Sequence, residues 1–425
     1  MEQHVQTVAE SKAPRTFKER LMKVGPGLVA AAAGVGAPDL VASIVVGKTY
    51  GMVFLWAIVI GSIIKYSLNE GVGRWHLATG KTILDGWHSL GPWATGYFSV
   101  YAIIWGFVYG ATAAMTSGMA MHAMFPVFPI WGWAVVHSLA GFILVYIGRY
   151  QLFERIMTAL VFMMFVTIVG TACFFLPGIP ELLNGLVPRV PEGSLFLALG
   201  LIGGIGGTMT MASYGYWLKE KEWKGKEWVP MMKLDSKVGY TLTGLFCVAS
   251  LIIGAQFLAG SAVEIRGNEG LVTLAQMLGD RFGTPLYWLF LLAFWTSSFS
   301  SLLGVWNGVP YLFADFIHTV RVKKQNGRKK KPVSEKDPAY RFYLFWLTFP
   351  PMLLYAFGKP VELIIIFGVL RSLFMPFLAV TLMLLLNSGR VDPSVRNKSF
   401  ANIVLGASLL LFAILGVNEL ISLFT

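Results

Sequence analysis

Apolar runs of about 20 residues recur from residue 26 to the end of the chain, separated by short polar stretches. A helix crosses the hydrocarbon of a bilayer in roughly 20 mostly apolar residues. Eleven segments meet that length: 26–47, 51–73, 94–123, 127–147, 151–177, 194–217, 238–260, 285–315, 342–358, 361–387 and 399–423. The pattern predicts an all-α polytopic membrane protein. Glycine, proline and small polar residues interrupt several segments, and two of the interruptions resemble each other. AAAGVGAPDLVAS (31–43) opens the first five segments and LIGGIGGTMTMAS (201–213) opens the next five, each with Gly-x-Gly at mid-membrane. An odd offset of five segments gives the two halves opposite orientations. Interrupted segments in corresponding positions of inverted halves point to a secondary transporter with a site near the midplane. The chain divides accordingly into a basic arm (1–24), a first five-helix repeat (25–177), a second (178–387) with a basic loop at 316–341, and an eleventh helix (388–425).

Charge fixes the expected orientation. Only 13% of the 425 residues are charged, against about 25% in soluble domains, and the formal net charge is +12. With the N-terminus in the cytoplasm, 27 of the 34 Lys and Arg residues fall on cytoplasmic stretches and five on the opposite side. This is the positive-inside pattern, and it places the C-terminus outside the cytoplasm. The run RVKKQNGRKKKPVSEK (321–336) then lies near anionic lipid headgroups, and nucleic acid is not an expected partner. The N-terminal stretch lacks the apolar core and cleavage site of a secretory signal, which suggests a bacterial inner-membrane protein. Cys173 and Cys247 both lie in apolar runs and read as core residues.

The chemistry concentrates at the two interruptions. In GVGAPDL (34–40), Pro38 removes a backbone donor, and Gly34 and Gly36 let the chain leave helical geometry. Carbonyls freed there must line a cavity or meet a ligand. Asp39 is an intramembrane acid, which costs roughly 2.5–3.5 kcal/mol or more at mid-bilayer if unpaired, and a cation is its simplest partner. The second interruption has no charge but offers carbonyls, the hydroxyls of Thr208 and Thr210, and the thioethers of Met209 and Met211. Oxygen donors suit Mg²⁺ and Mn²⁺, and thioethers favour softer metals. Lys65 and Arg371 are the two basic residues inside segments. Lys65 reads as the partner of an internal acid, with Glu70 nearby. Arg371 could pair with Asp39, line an aqueous cavity or hold an anionic substrate. His122 and His137 do not recur at metal-ligand spacing. HExxH, GxSxG and phosphate-loop patterns are missing, so neither an enzyme nor a resident cofactor is expected.

These residues resemble the Nramp family of divalent-metal transporters over nearly the whole chain. GPG (25–27), RWHLATGKTILDGW (74–87), FWTSSFSSLLGVWNGVPYLFADF (294–316) and RSLFMPF (371–377) carry the likeness. The resemblance implies a LeuT-like inverted repeat of 5+5 helices plus an eleventh, with unwound first and sixth helices. The departures fall where substrate is chosen. For the family's Asp-Pro-Gly-Asn, this chain has Gly36, Ala37, Pro38 and Asp39. For Ala-x-x-Met-Pro-His, it has Thr208, Met211, Ala212 and Ser213 at the named positions. The third segment, YAIIWGFVYGATAAMTSGMAM (101–121), lacks the family's acidic proton-path residue. A single acid and a small residue at position 36 imply a roomy, oxygen-rich site. The likeness is therefore to the prokaryotic Nramp-related magnesium transporters, acting as monomers without proton coupling. Asp39, Gly36, Thr208 and Met211 are the candidate metal ligands, and Met211 would favour retained Mn²⁺ transport. Two rivals stand beside this reading: an APC-type carrier of an anionic or organic solute using Arg371 or Lys65, and a membrane sensor or scaffold built around the basic loop.

Overall fold

A computed structural model describes residues 13–14, 16–258, 269–324, 332–355 and 360–422. Most of the basic arm and the centre of the basic loop, 325–331, lie outside the described residues. Among the described residues, the helices make eleven crossings and no strand occurs. The first crossing is split into α1 (Pro26–Gly34) and α2 (Ala37–Tyr50), followed by α3 (Leu55–Thr79). A surface helix, α4 (Ile83–Leu90), leads to α5 (Pro92–Met124), α6 (Ile130–Tyr146) and α7 (Tyr150–Ala172). The sixth crossing is split three ways: α8 (Leu195–Gly204), α9 (Met209–Ala212) and α10 (Tyr214–Glu220). After it come α11 (Val229–Ile252), the surface helix α12 (Glu269–Phe282) and α13 (Thr284–Lys324). The chain closes with α14 (Pro338–Thr348), α15 (Pro360–Leu386) and α16 (Ser399–Ser422).

Local chemistry sets these boundaries. Proline opens α1, α2, α5 and α11 within the first two positions, where its missing N–H costs no intrahelical bond. Thr82 and Asp85 form a reciprocal capping box at the start of α4. One boundary differs from the sequence reading. α13 runs 41 residues to Lys324, so the first part of the stretch expected as loop 316–341 is helical. At about 1.5 Å per residue, this helix extends well beyond the hydrocarbon.

Packing around the split helices is backbone-close. A Cβ on Gly27 would lie 2.2 Å from the Asp235 carbonyl oxygen, and one on Gly239 would lie 2.3 Å from the Gly27 carbonyl oxygen. Small residues allow such approach between α1 and α11, where dispersion rather than solvent exclusion drives helix association. Asp235 of α11 also caps the start of α1. Its carboxylate accepts the N–H of Gly25 at 2.9 Å and of Gly27 at 2.6 Å, and the Tyr214 hydroxyl at 2.7 Å.

Polar connections also tie the ends of the crossings together on two faces. On the basic face, Lys221 meets Glu154 at 2.8 Å, Lys226 pairs with Asp392, and Arg74 donates to Asn397 at 2.8 Å. On the opposite face, Trp56 donates to the Arg189 carbonyl at 3.2 Å, and Gln256 donates to Glu181 at 2.8 Å.

Candidate functional site

The two interruptions meet. α1 ends at Gly34, and the chain runs extended through Val35 and Gly36 before α2 begins. The break therefore precedes Pro38, which sits harmlessly in the first turn of α2. Gly36 donates its N–H to Asp39 Oδ2 at 3.0 Å, so the acid caps its own helix at the positive end of the helix dipole. In the second break, Gly206 and Gly207 have φ of +58° and +46°, a region glycine adopts without a Cβ clash. The Gly207 N–H then donates to the Gly34 carbonyl at 2.9 Å. A Cβ on Gly34 would come within 2.2 Å of the Gly207 nitrogen, so this contact requires glycine there.

Three scaffold helices complete the site. From α13, the Ser301 hydroxyl donates to the Ala33 carbonyl at 3.0 Å. That commits the Ser301 proton, so Tyr109 of α5 donates to Ser301 Oγ at 2.7 Å. Trp105 stacks on Tyr109 with ring centroids 4.6 Å apart. From α15, Arg371 Nη2 donates to Asp39 Oδ1 at 2.7 Å, with the Asp39 side chain only 3% exposed. Between these groups lies a cavity of about 40 Å³, walled by Asp39, Thr208, Thr210, Ser298, Tyr109 and Arg371 among others. The hydroxyl oxygens of Thr210 and Ser298 are buried there without a hydrogen-bond partner. Each such orphan costs about 1–3 kcal/mol, and their lone pairs make them available to a cation or to its water.

The candidate ligands fare differently. Asp39, Gly36 and Thr208 all line the cavity. The Gly36 carbonyl, however, accepts the N–H groups of Asp39 and Leu40 as α2 winds up, so Gly36 supplies an N–H to the carboxylate rather than a free carbonyl. Met211 is not brought to the cavity. It is fully buried and packs behind the break, its Cγ 3.2 Å from where a Gly207 Cβ would stand. α9 is a single turn that aims Thr208 and Thr210 at the cavity, and the thioether points elsewhere. Thr210, noted in the sequence for its hydroxyl but not counted among the candidate ligands, is a wall residue, and Ser298 was missed although the run TSSFSS (296–301) was a signal of a polar helix face.

Lys65 corrects another expectation. It does not pair with Glu70, because residues five apart stand about 140° apart around a helix; neighbours are three or four apart. Glu70 meets Arg74 one turn on, at 3.0 Å, and Lys233 at 3.6 Å. Lys65 Nζ instead donates to the Gly207 carbonyl at 2.8 Å, behind the cavity wall, and lies 3.6 Å from Met375 Sδ. Of the readings open for Arg371, the structure displays the pairing with Asp39, in the wall of the cavity. Among the described residues, no group of three or more His, Cys, Asp and Glu side chains could hold a metal. A cation here would rest on one carboxylate and neutral oxygens.

Comparison with known proteins agrees with this architecture. The family described as natural resistance-associated macrophage protein-like, Nramp, matches residues 27–422. The chain is 22% identical to the divalent metal cation transporter MntH of Staphylococcus saprophyticus, over 96% of this chain and 94% of that protein. It is also 22% identical to the uncharacterized membrane protein YcsG of Bacillus subtilis, over 85% and 84% of the two chains. Among solved structures, the Eremococcus coleocola manganese transporter superposes with a TM-score of 0.78 at 18% identity, covering 98% of this chain and 90% of that one. MhsT in complex with L-phenylalanine superposes with a TM-score of 0.58 at 15% identity, over 94% and 98%. The fold is the LeuT-like inverted repeat of five and five helices with an eleventh added, unwound in the first and sixth crossings. With the match running through nearly all of its length, this chain belongs to the Nramp family.

Proposed function

We propose that this protein is a secondary transporter that carries divalent cations into the cytoplasm by alternating access, Mg²⁺ first and Mn²⁺ with it, without proton coupling. The observation that carries the reading is the joining of the two breaks around one small cavity. It gathers Asp39 and the oxygens of Thr208, Thr210 and Ser298 in about 40 Å³. That is room for an ion and a little water, whereas organic ligands occupy pockets of roughly 300–1,000 Å³. Oxygen donors without a thioether suit a hard ion, and Mg²⁺ is held by one or two carboxylates while it keeps several waters. The third crossing has no acid between 101 and 121 to carry a proton. Relatives bearing the name divalent metal cation transporter support the substrate class. The charge pattern supports an N-terminus in the cytoplasm and a place in a bacterial inner membrane.

One observation favours a second reading. Arg371 and Lys65 together bring two basic side chains to the breaks against the one carboxylate of Asp39. That balance suits a small anion.

Proteoliposome uptake separates the two. Mg²⁺, Mn²⁺ and pH dyes are followed together for the intact protein and for Asp39→Asn. The proposal expects metal uptake that requires Asp39 and brings no internal acidification. Matching proton influx would overturn the coupling claim. No metal flux from well-folded protein would overturn the cation reading and leave the anion.

A further inference from the structure

The acid best placed to hold a cation already holds one. Arg371 Nη2 lies 2.7 Å from Asp39 Oδ1, so an ion that binds Asp39 directly competes with a guanidinium for the same oxygen. We infer that Arg371 is a tethered competitor of the transported ion: it neutralises Asp39 when the carrier is empty and swings aside when an ion arrives. In this role it sets the affinity and allows the unloaded carrier to return. The inference rests on the cation reading above.

The surroundings give the side chain both a fixed root and a place to go. The backbone of α15 is pinned on either side of Arg371. The Tyr101 hydroxyl donates to the Leu370 carbonyl at 2.9 Å, and the Tyr97 hydroxyl donates to the Leu373 carbonyl at 2.8 Å. Movement therefore falls to the long side chain rather than to the helix. Trp105, Tyr109 and Phe367 line the same cavity as Arg371. Trp105 stacks on Tyr109 at 4.6 Å, and Phe367 lies 5.3 Å from Tyr109. A guanidinium is planar, weakly hydrated and stacks on aromatic faces, so this wall can receive it once Asp39 is taken. Lys65 Nζ donates to the Gly207 carbonyl at 2.8 Å and lies 3.6 Å from Met375 Sδ, so it is held behind the cavity wall rather than on Asp39.

The two parts of the inference have separate readouts. A bound competitor lowers apparent affinity by the fraction of carriers that are free to bind. An empty carrier with an uncompensated mid-membrane carboxylate returns slowly. Net uptake needs that return, whereas exchange of external for internal ion does not.

The test measures Mg²⁺ binding to purified Arg371→Gln by titration calorimetry, with net uptake and Mg²⁺ exchange measured in proteoliposomes. The expected result is an apparent Kd lower by about tenfold or more, with net uptake slowed and exchange retained. Unchanged or weaker binding by monodisperse Arg371→Gln, alongside normal binding by the wild type, overturns the inference and leaves the cation reading standing. Absence of Mg²⁺ and Mn²⁺ binding in wild type and variant alike overturns the cation reading itself. Should Arg371→Gln fail to fold, Arg371→Ala with added guanidinium chloride gives a second route. Millimolar guanidinium should raise the Kd for Mg²⁺ in that variant and not in the wild type. Its failure to compete counts against the inference.

Discussion

Gly34→Ala tests whether the joining of the breaks is what builds the cavity. The added Cβ would stand 2.2 Å from the Gly207 nitrogen, 2.8 Å from its Cα and 2.9 Å from the Gly206 carbonyl carbon. All three are backbone atoms, so no side chain can turn away. An ordinary contact needs about 3.4 Å, and the breaks must therefore part by roughly 1 Å. That separation destroys the 2.9 Å bond from the Gly207 N–H to the Gly34 carbonyl, worth about 0.5–1.5 kcal/mol. Overpacking adds typically 1–3 kcal/mol. The sum, about 2–4 kcal/mol, should lower the apparent melting temperature in detergent by several degrees at a fixed scan rate. Thr208 moves with Gly207, so metal affinity should fall as well, by one to two orders of magnitude if a 1 Å misplacement acts here as it does in catalytic sites. The control is Gly200→Ala, on α8 of the same split crossing, where an added Cβ meets nothing within 4 Å. It should be neutral or stabilise the helix by up to about 1 kcal/mol. The assay is tryptophan-fluorescence melting beside dye-based uptake. Wild-type melting and uptake in Gly34→Ala would refute the claim that the two breaks act as one site.

Other outcomes can be checked on the same protein. Asp235→Ala would strand two backbone N–H groups and leave the Tyr214 hydroxyl only its longer bond to the Met232 carbonyl at 3.3 Å, so it should destabilise by about 3 kcal/mol and reduce the yield of monodisperse protein. Asp235→Asn keeps one acceptor and should fall between this variant and the wild type. On the basic face, burial and the nearby Glu220 carboxylate push Glu335 up to about 7 from its ordinary 4.5, while the Asn307 amide donates to it at 2.9 Å. The folded state then binds the proton more tightly than the unfolded chain, so stability falls as pH rises from about 4.5 to 7. Melting measured across that range should show the slope, and Glu335→Gln should flatten it. An unchanged slope in Glu335→Gln would assign the effect to another group.

The fold was largely legible because its signal is additive. Each crossing announces itself by twenty apolar residues, and Gly-x-Gly five crossings apart exposed the inverted repeat. The breaks were found at the right residues, although Pro38, read as a helix breaker, in fact opens α2. Site orientation was harder to read. A one-turn helix such as α9 has too few residues to show a face, so Met211 and Thr210 could not be told apart by periodicity. Lys65 was assigned to Glu70 by nearness in sequence, against the angular spacing of a helix. The pairing of Asp39 with Arg371 could only be one of several options, because nothing local links residues on the first and tenth crossings.

That ion pair also has a schedule. Asp39 and Arg371 are 332 residues apart, and ribosomes add roughly 5–20 residues per second. About 15–65 s pass between the synthesis of the carboxylate and that of its guanidinium. During that interval the first crossing contains an acid that lipid tolerates poorly and α15 cannot yet neutralise. Its final seating must therefore wait for nearly the whole chain, and a ribosome stalled before residue 371 would leave a nascent protein with a mid-membrane charge for quality control to recognise.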